Sequence, residues 1–106
     1  MPQAVYRVDK FVVPSPAREE FLKRARRTHL LLQAQPGFVQ DFILEQSSGP
    51  GEFNFVTLVE WASQEAFDNA RQAVQKLHAE MKFNPQETIA RLGIKADIAN
   101  YTRLEA

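Results

Sequence analysis

The sequence predicts one α+β domain, and three observations carry that prediction. Runs rich in β-branched and aromatic residues alternate with two stretches of helical periodicity. Prolines, glycines and capping polar residues stand at the junctions. A chain of 106 residues, 44% hydrophobic and 25% charged, suits a single globular core.

The first element covers residues 4–13, AVYRVDKFVV, stops at Pro14 and reads as a strand. Tyr6, Val8 and Val12 share one face and Val5, Phe11 and Val13 the other, so both faces carry apolar side chains. Ser15-Pro16 supplies an N-cap and a proline for the first helical position. In the helix that follows, Phe21, Ala25, Thr28, His29 and Leu32 fall in one arc. Lys23, Arg24, Arg26 and Arg27 fall opposite and read as a solvated face. Pro36-Gly37 ends this helix. Phe38 to Gln46 is a second strand, with Phe38, Phe42 and Leu44 on one face and Val39 and Ile43 on the other. The turn from Ser47 to Glu52 leads into a third strand, Phe53 to Trp61, and its short Gly/Pro-rich link makes the pair an antiparallel hairpin. Ser63 caps a second helix whose buried face holds Phe67, Ala70, Val74, Leu77 and Met81. Asn84-Pro85 breaks it, a short helix covers 86–92, Gly93 ends that, and 95–104 forms the last strand.

The order β-α-β-β-α-β is the ferredoxin-like pattern. Two right-handed crossovers put both helices on one face of a four-stranded antiparallel sheet. The other face carries Val56 and Leu58 beside Asn54 and Glu60, too apolar a surface to leave to water. A homodimer packed sheet against sheet is the simplest cover, and a net charge of zero favours self-association.

Composition removes several classes of function. Thirteen basic against thirteen acidic residues argue against nucleic acid or an anionic membrane held by bulk charge. With no cysteine there is no disulfide framework, thiolate nucleophile, iron–sulfur cluster or Cys-ligated zinc. No apolar run has the length of a membrane span or a signal h-region, so a cytoplasmic location is expected. Neither histidine has a carboxylate or second histidine at i+4, so no metal is expected. Gly49-Pro50-Gly51 joins two strands instead of opening a helix, so a nucleotide cofactor is not expected either.

Pro36-Gly37-Phe38 at the entry to strand two, Val59-Glu60-Trp61-Ala62-Ser63 at the strand-to-helix junction and the following Phe67 resemble the antibiotic biosynthesis monooxygenase family. The resemblance spans residues 5–104 and implies a dimeric α+β barrel with a cleft between sheet and helices in each protomer. It also implies oxidation of an electron-rich aromatic, a quinol or anthrone, by molecular oxygen without metal or flavin. Family members that oxygenate often carry an asparagine four residues before the strand-three tryptophan, where this chain has Thr57. The haem-degrading branch uses a strand-one asparagine, here Asp9, and a helix-two tryptophan, here Ala70, which disfavours haem degradation. The alternative is a non-catalytic ligand-binding or protective module on the same fold, which Thr57 favours.

An oxygenase of this kind needs an aromatic pocket, a proton acceptor and donors for the developing anion. His78, at the edge of helix two's apolar arc with Arg71 two turns away on the same edge, is the expected acceptor. Trp61 and Phe55 are expected to wall the cleft and Thr57 to point into it, although core packing explains Phe55 better. His29 reads as a hydrogen-bonded core residue, and Arg7 with Asp9 as a charged pair at the dimer seam.

Overall fold

The computed structural model describes residues 3–104. Its elements are β1 (Val5–Val12), α1 (Arg18–Gln33), β2 (Phe38–Glu45), β3 (Phe55–Trp61), α2 (Gln64–Glu80), α3 (Pro85–Arg91) and β4 (Lys95–Tyr101). The strands form one antiparallel sheet in the order β2-β3-β1-β4. The expected ferredoxin-like α+β topology is therefore the observed one. Among the described residues no helix is long and apolar enough to cross a membrane.

Several boundaries follow from local chemistry the sequence reading anticipated. Ser63 caps α2, its side chain accepting from the Ala66 amide, and Glu65 lies in the first turn. Asn84 caps α3 with Pro85 directly behind it. The entry to α1 differs from expectation: Ser15–Ala17 form a single 3-10 turn opened by Pro14, and Ser15 makes no side-chain cap bond. Two prolines flanking one serine favour that tighter turn, which the Ala17 amide closes by donating to Pro14 at 2.9 Å. The third strand begins at Phe55 instead of Phe53, and just before it the Asn54 side chain ties to Val13, its Oδ1 accepting from the amide at 2.8 Å and its Nδ2 donating to the carbonyl at 2.9 Å. The last strand stops at Tyr101, and Leu104 is exposed.

On β3 the expected alternation holds: Phe55, Thr57, Val59 and Trp61 are buried, and Val56, Leu58 and Glu60 between them are only half-buried. On β2 it does not. A bulge between Phe38 and Gln40 places Phe38 opposite Trp61 and Gln40 opposite Glu60, so the chain gains one residue there. Phe38 therefore packs on Trp61, at 5.9 Å between ring centroids, on the same face as Ile43 instead of with Phe42 and Leu44. On α2, Phe67, Ala70 and Val74 are buried as expected, but Met81 lies past the helix end and is exposed.

The core is split. One cluster joins Phe11, Phe21, Leu22, Phe55 and Ile94, and the other joins Val59, Trp61, Phe67 and Ala70. Between them the helix-facing side of the sheet carries polar residues. Arg7, Val59 and Asp41 align across three strands, and Asp9, Thr57 and Ile43 make the next row. That polar belt defines the floor of the site. The opposite face carries no helix among the described residues and presents an apolar row, Phe42–Leu58–Val8–Ala99, running across all four strands.

Candidate active site

A cavity of about 340 Å³ opens between the sheet floor, α1, α2 and α3, within the size range of small-molecule sites. Its walls are mainly apolar, with Phe21, Leu32, Trp61, Phe67, Val74 and Ile89 among them. Four of the five residues singled out from the sequence line it: Trp61, Thr57, Arg71 and His78. Phe55 does not. It is 2% exposed and its ring meets Phe21 at 5.0 Å, so it is core beneath the cavity and not its wall.

The polar groups of the floor come from residues the sequence reading placed elsewhere. Arg7 and Asp9 lie on the helix-facing side of β1 and line the cavity, which removes them from the free face and from any seam formed there. The Arg7 Nε donates to Asp9 Oδ1 at 2.8 Å, and its guanidinium stands 5.5 Å from the centre of the Phe67 ring. Burial pushes the Asp9 carboxyl above its ordinary value, against the pull of Arg7 and, more weakly, of His29.

His29 is 6% exposed and lines the same cavity. Its Nδ1 lies 2.7 Å from Asp41 Oδ2, which also accepts from Gln33 Nε2 at 3.1 Å. A carboxylate oxygen only accepts, so Nδ1 donates this hydrogen bond, and in the neutral ring that leaves Nε2 as the acceptor. The expectation of a hydrogen-bonded histidine is met, and its partner is an acid from the bulged strand. A signal for it existed: a histidine on an apolar arc needs a polar partner, and β2 carries two acids, Asp41 in its middle and Glu45 at its end.

His78 stands at the rim. Its ring meets Phe83 edge-on at 5.1 Å, and Arg24 covers the same phenyl ring at 5.1 Å. Arg24, expected on a solvated face, thus reaches the cavity, while Lys23 and Arg26 remain exposed. Among the described residues no group of three His, Asp or Glu side chains could hold a metal ion.

The model of the family described as "Antibiotic biosynthesis monooxygenase" matches residues 4–80, most of the chain, and the protein belongs to that family. No protein of curated function matches the sequence. Solved structures do. SnoaB of Streptomyces nogalater, described as a cofactor-independent oxygenase, superposes with a TM-score of 0.72 at 24% identity, covering 98% of this chain and 96% of that one. A protein of Shewanella loihica PV-4 gives 0.77 at 17% identity, covering 100% and 99%. The haem-degrader MhuD of Mycobacterium tuberculosis, with two haems in its active site, gives 0.67 at 25% identity, covering 96% and 97%.

Proposed function

We propose that the protein is a small oxygenase acting with molecular oxygen on an electron-rich aromatic of the quinol or anthrone type, without metal or flavin. The observation that carries this reading is His29, buried on α1 in the wall of an aromatic-lined cavity and hydrogen-bonded from behind by the half-buried Asp41 of β2. A base oriented by a carboxylate is the arrangement that proton abstraction from a weakly acidic carbon or phenol requires.

In this reading an anthrone-like substrate lies against Trp61 and Phe67 and gives a proton to His29 Nε2. Asp41 holds the ring in the accepting tautomer and stabilises the imidazolium. The resulting anion passes one electron to dioxygen, and the radical pair joins as a carbon-bound peroxide that takes the proton back from the His29 imidazolium. Loss of water leaves a carbonyl, so one oxygen atom ends in the product and one in water. Arg7 and the Thr57 hydroxyl are the donors available to the developing oxyanion. His78, the acceptor the sequence favours, has no carboxylate within ion-pair distance among the described residues and borders the mouth. We further propose that two copies pair through the free apolar sheet face.

Oxygen uptake by metal-free protein with a panel of quinols and anthrones tests the reading. His29→Gln should lower turnover by about 10²–10⁴-fold, with Asp41→Asn following it. If His78→Gln carries the loss instead, His78 is the base. Tight binding without uptake favours the second reading, a non-catalytic binding module, for which the specific support is Thr57 in place of the asparagine. A parallel haem titration is expected to show no tight complex, since Asp9 and Ala70 replace the residues that the haem-degrading branch uses.

A further inference from the structure

A second cavity of about 260 Å³ adjoins the first and shares four lining residues with it, Arg24, Thr28, His78 and Phe83. Arg27 and Lys82 are added on its far side, together with Leu31 and Met81, and among the described residues no aspartate or glutamate lines it. Three cations and an imidazole around one small hollow, with no acid among them, form a positive pocket next to an apolar one.

Lys82 carries an independent sign. Its φ of +53° is the only positive value at a described non-glycine residue. It follows the C-cap of α2, where glycine is the residue that avoids strain. A lysine there brings an ammonium to the cavity wall that glycine could not supply. Neither Arg27 nor Lys82 takes part in an ion pair among the described residues, whereas Arg18, Arg24 and Arg91 all do. Glu20 engages Arg24 through Nε at 3.1 Å and helps fix its guanidinium across the Phe83 ring. Phe83 thereby forms the partition between the two cavities, held by Arg24 and by the edge of His78.

We propose that this hollow is an anion subsite, and that the protein's ligand is an aromatic acid whose ring fills the main cavity while its carboxylate lies among Arg24, Arg27, Lys82 and His78. The proposal rests on the reading of the main cavity as an aromatic-binding site, but not on oxygenation. Arg24 and His78 form the shared wall, and Arg27 and Lys82 supply the unpaired charge that selects an anion.

The test compares 1-naphthylacetate with its neutral near-isostere 1-naphthylacetamide by titration calorimetry at low ionic strength. The acid should bind the wild-type protein about tenfold or more tightly than the amide, the scale of a charge-assisted hydrogen bond, and rising salt should weaken only the acid. In the double variant Arg27→Gln/Lys82→Gln that preference should fall to near unity, with amide affinity unchanged. Lys82→Gly separates structure from recognition: it should raise thermal stability by removing the left-handed strain and still reduce the acid preference. Equal binding of acid and amide to wild type, a preference that survives in the double variant, or binding of neither compound overturns the proposal. Failure of oxygenation alone would show in oxygen uptake and leave these titrations unchanged.

Discussion

Asp9 is the residue whose ionisation the fold works against. Burial raises its carboxyl above the ordinary 3.8, and Arg7 only partly offsets that. Between the ordinary and the raised value the native state holds a proton that the unfolded chain has released. Stability contributed by this group is therefore full below the ordinary value and is lost as pH rises through the raised one. Asp9→Asn has no such proton. Urea unfolding of both proteins in steps upward from about pH 4 should show the wild type losing stability relative to the variant as pH rises. A difference that stays constant with pH would mean that the carboxyl is not perturbed. Glu20 and Glu45, held below their ordinary values by hydrogen bonds from Arg91 and Arg24 and from Arg18, act in the opposite sense. They are common to both proteins and cancel in the comparison.

At the scale of elements, the link between α1 and β2 depends on Gly37. Its φ is +85°, and a Cβ built there would lie 2.4 Å from the Ala66 Cβ of α2. The backbone of one connection thus packs directly on the neighbouring helix, next to Phe38 and Trp61. Gly37→Ala should cost about 2–4 kcal/mol, left-handed strain and overpacking together. Gly49 offers the control: its φ is +97°, but nothing lies within 4 Å of the added carbon. Gly49→Ala should cost only about 1–2 kcal/mol, from strain alone. Thermal melts of the two variants measure the difference, and equal losses would remove the close contact as the cause.

For the molecule as a whole, the free sheet face is where the proposed pairing of two copies is tested. Phe42 and Leu44 are 47% and 51% exposed, and they continue a surface that includes Val8, Val56 and Leu58. The proposed sheet-to-sheet pairing would bury about 1,200–2,000 Å² in total. Sedimentation at micromolar concentration should show two chains per particle. Phe42→Lys/Leu44→Lys should give one, with an unchanged circular dichroism spectrum, because both side chains are already half in water. A wild-type protein that sediments as one chain would show that the face is tolerated in solvent.

What the sequence determined by itself is local. The order of elements, the hairpin, the Ser63 and Asn84 caps and the inward side of β3 follow from periodicity, capping and turn chemistry, all of which act within a few residues. Given the cleft that the family resemblance implies, the same projections set Trp61, Thr57, Arg71 and His78 on it, and Phe55 wrongly with them. The tertiary structure decided the rest, because the deciding contacts join residues far apart in the chain. One extra residue in the bulge at Val39 turned Phe38 inward, and no period-2 pattern reveals a bulge before its partner strand is known. The apolar arc of α1 identified His29 as buried, but only the pairing of β2 with β3 brought Asp41 beneath it. The sequence reading put Arg7 and Asp9 at a dimer seam. They share the helix-facing side of β1 with Phe11, and a charge-assisted pair beside Phe67 satisfies groups that singly could not be buried there.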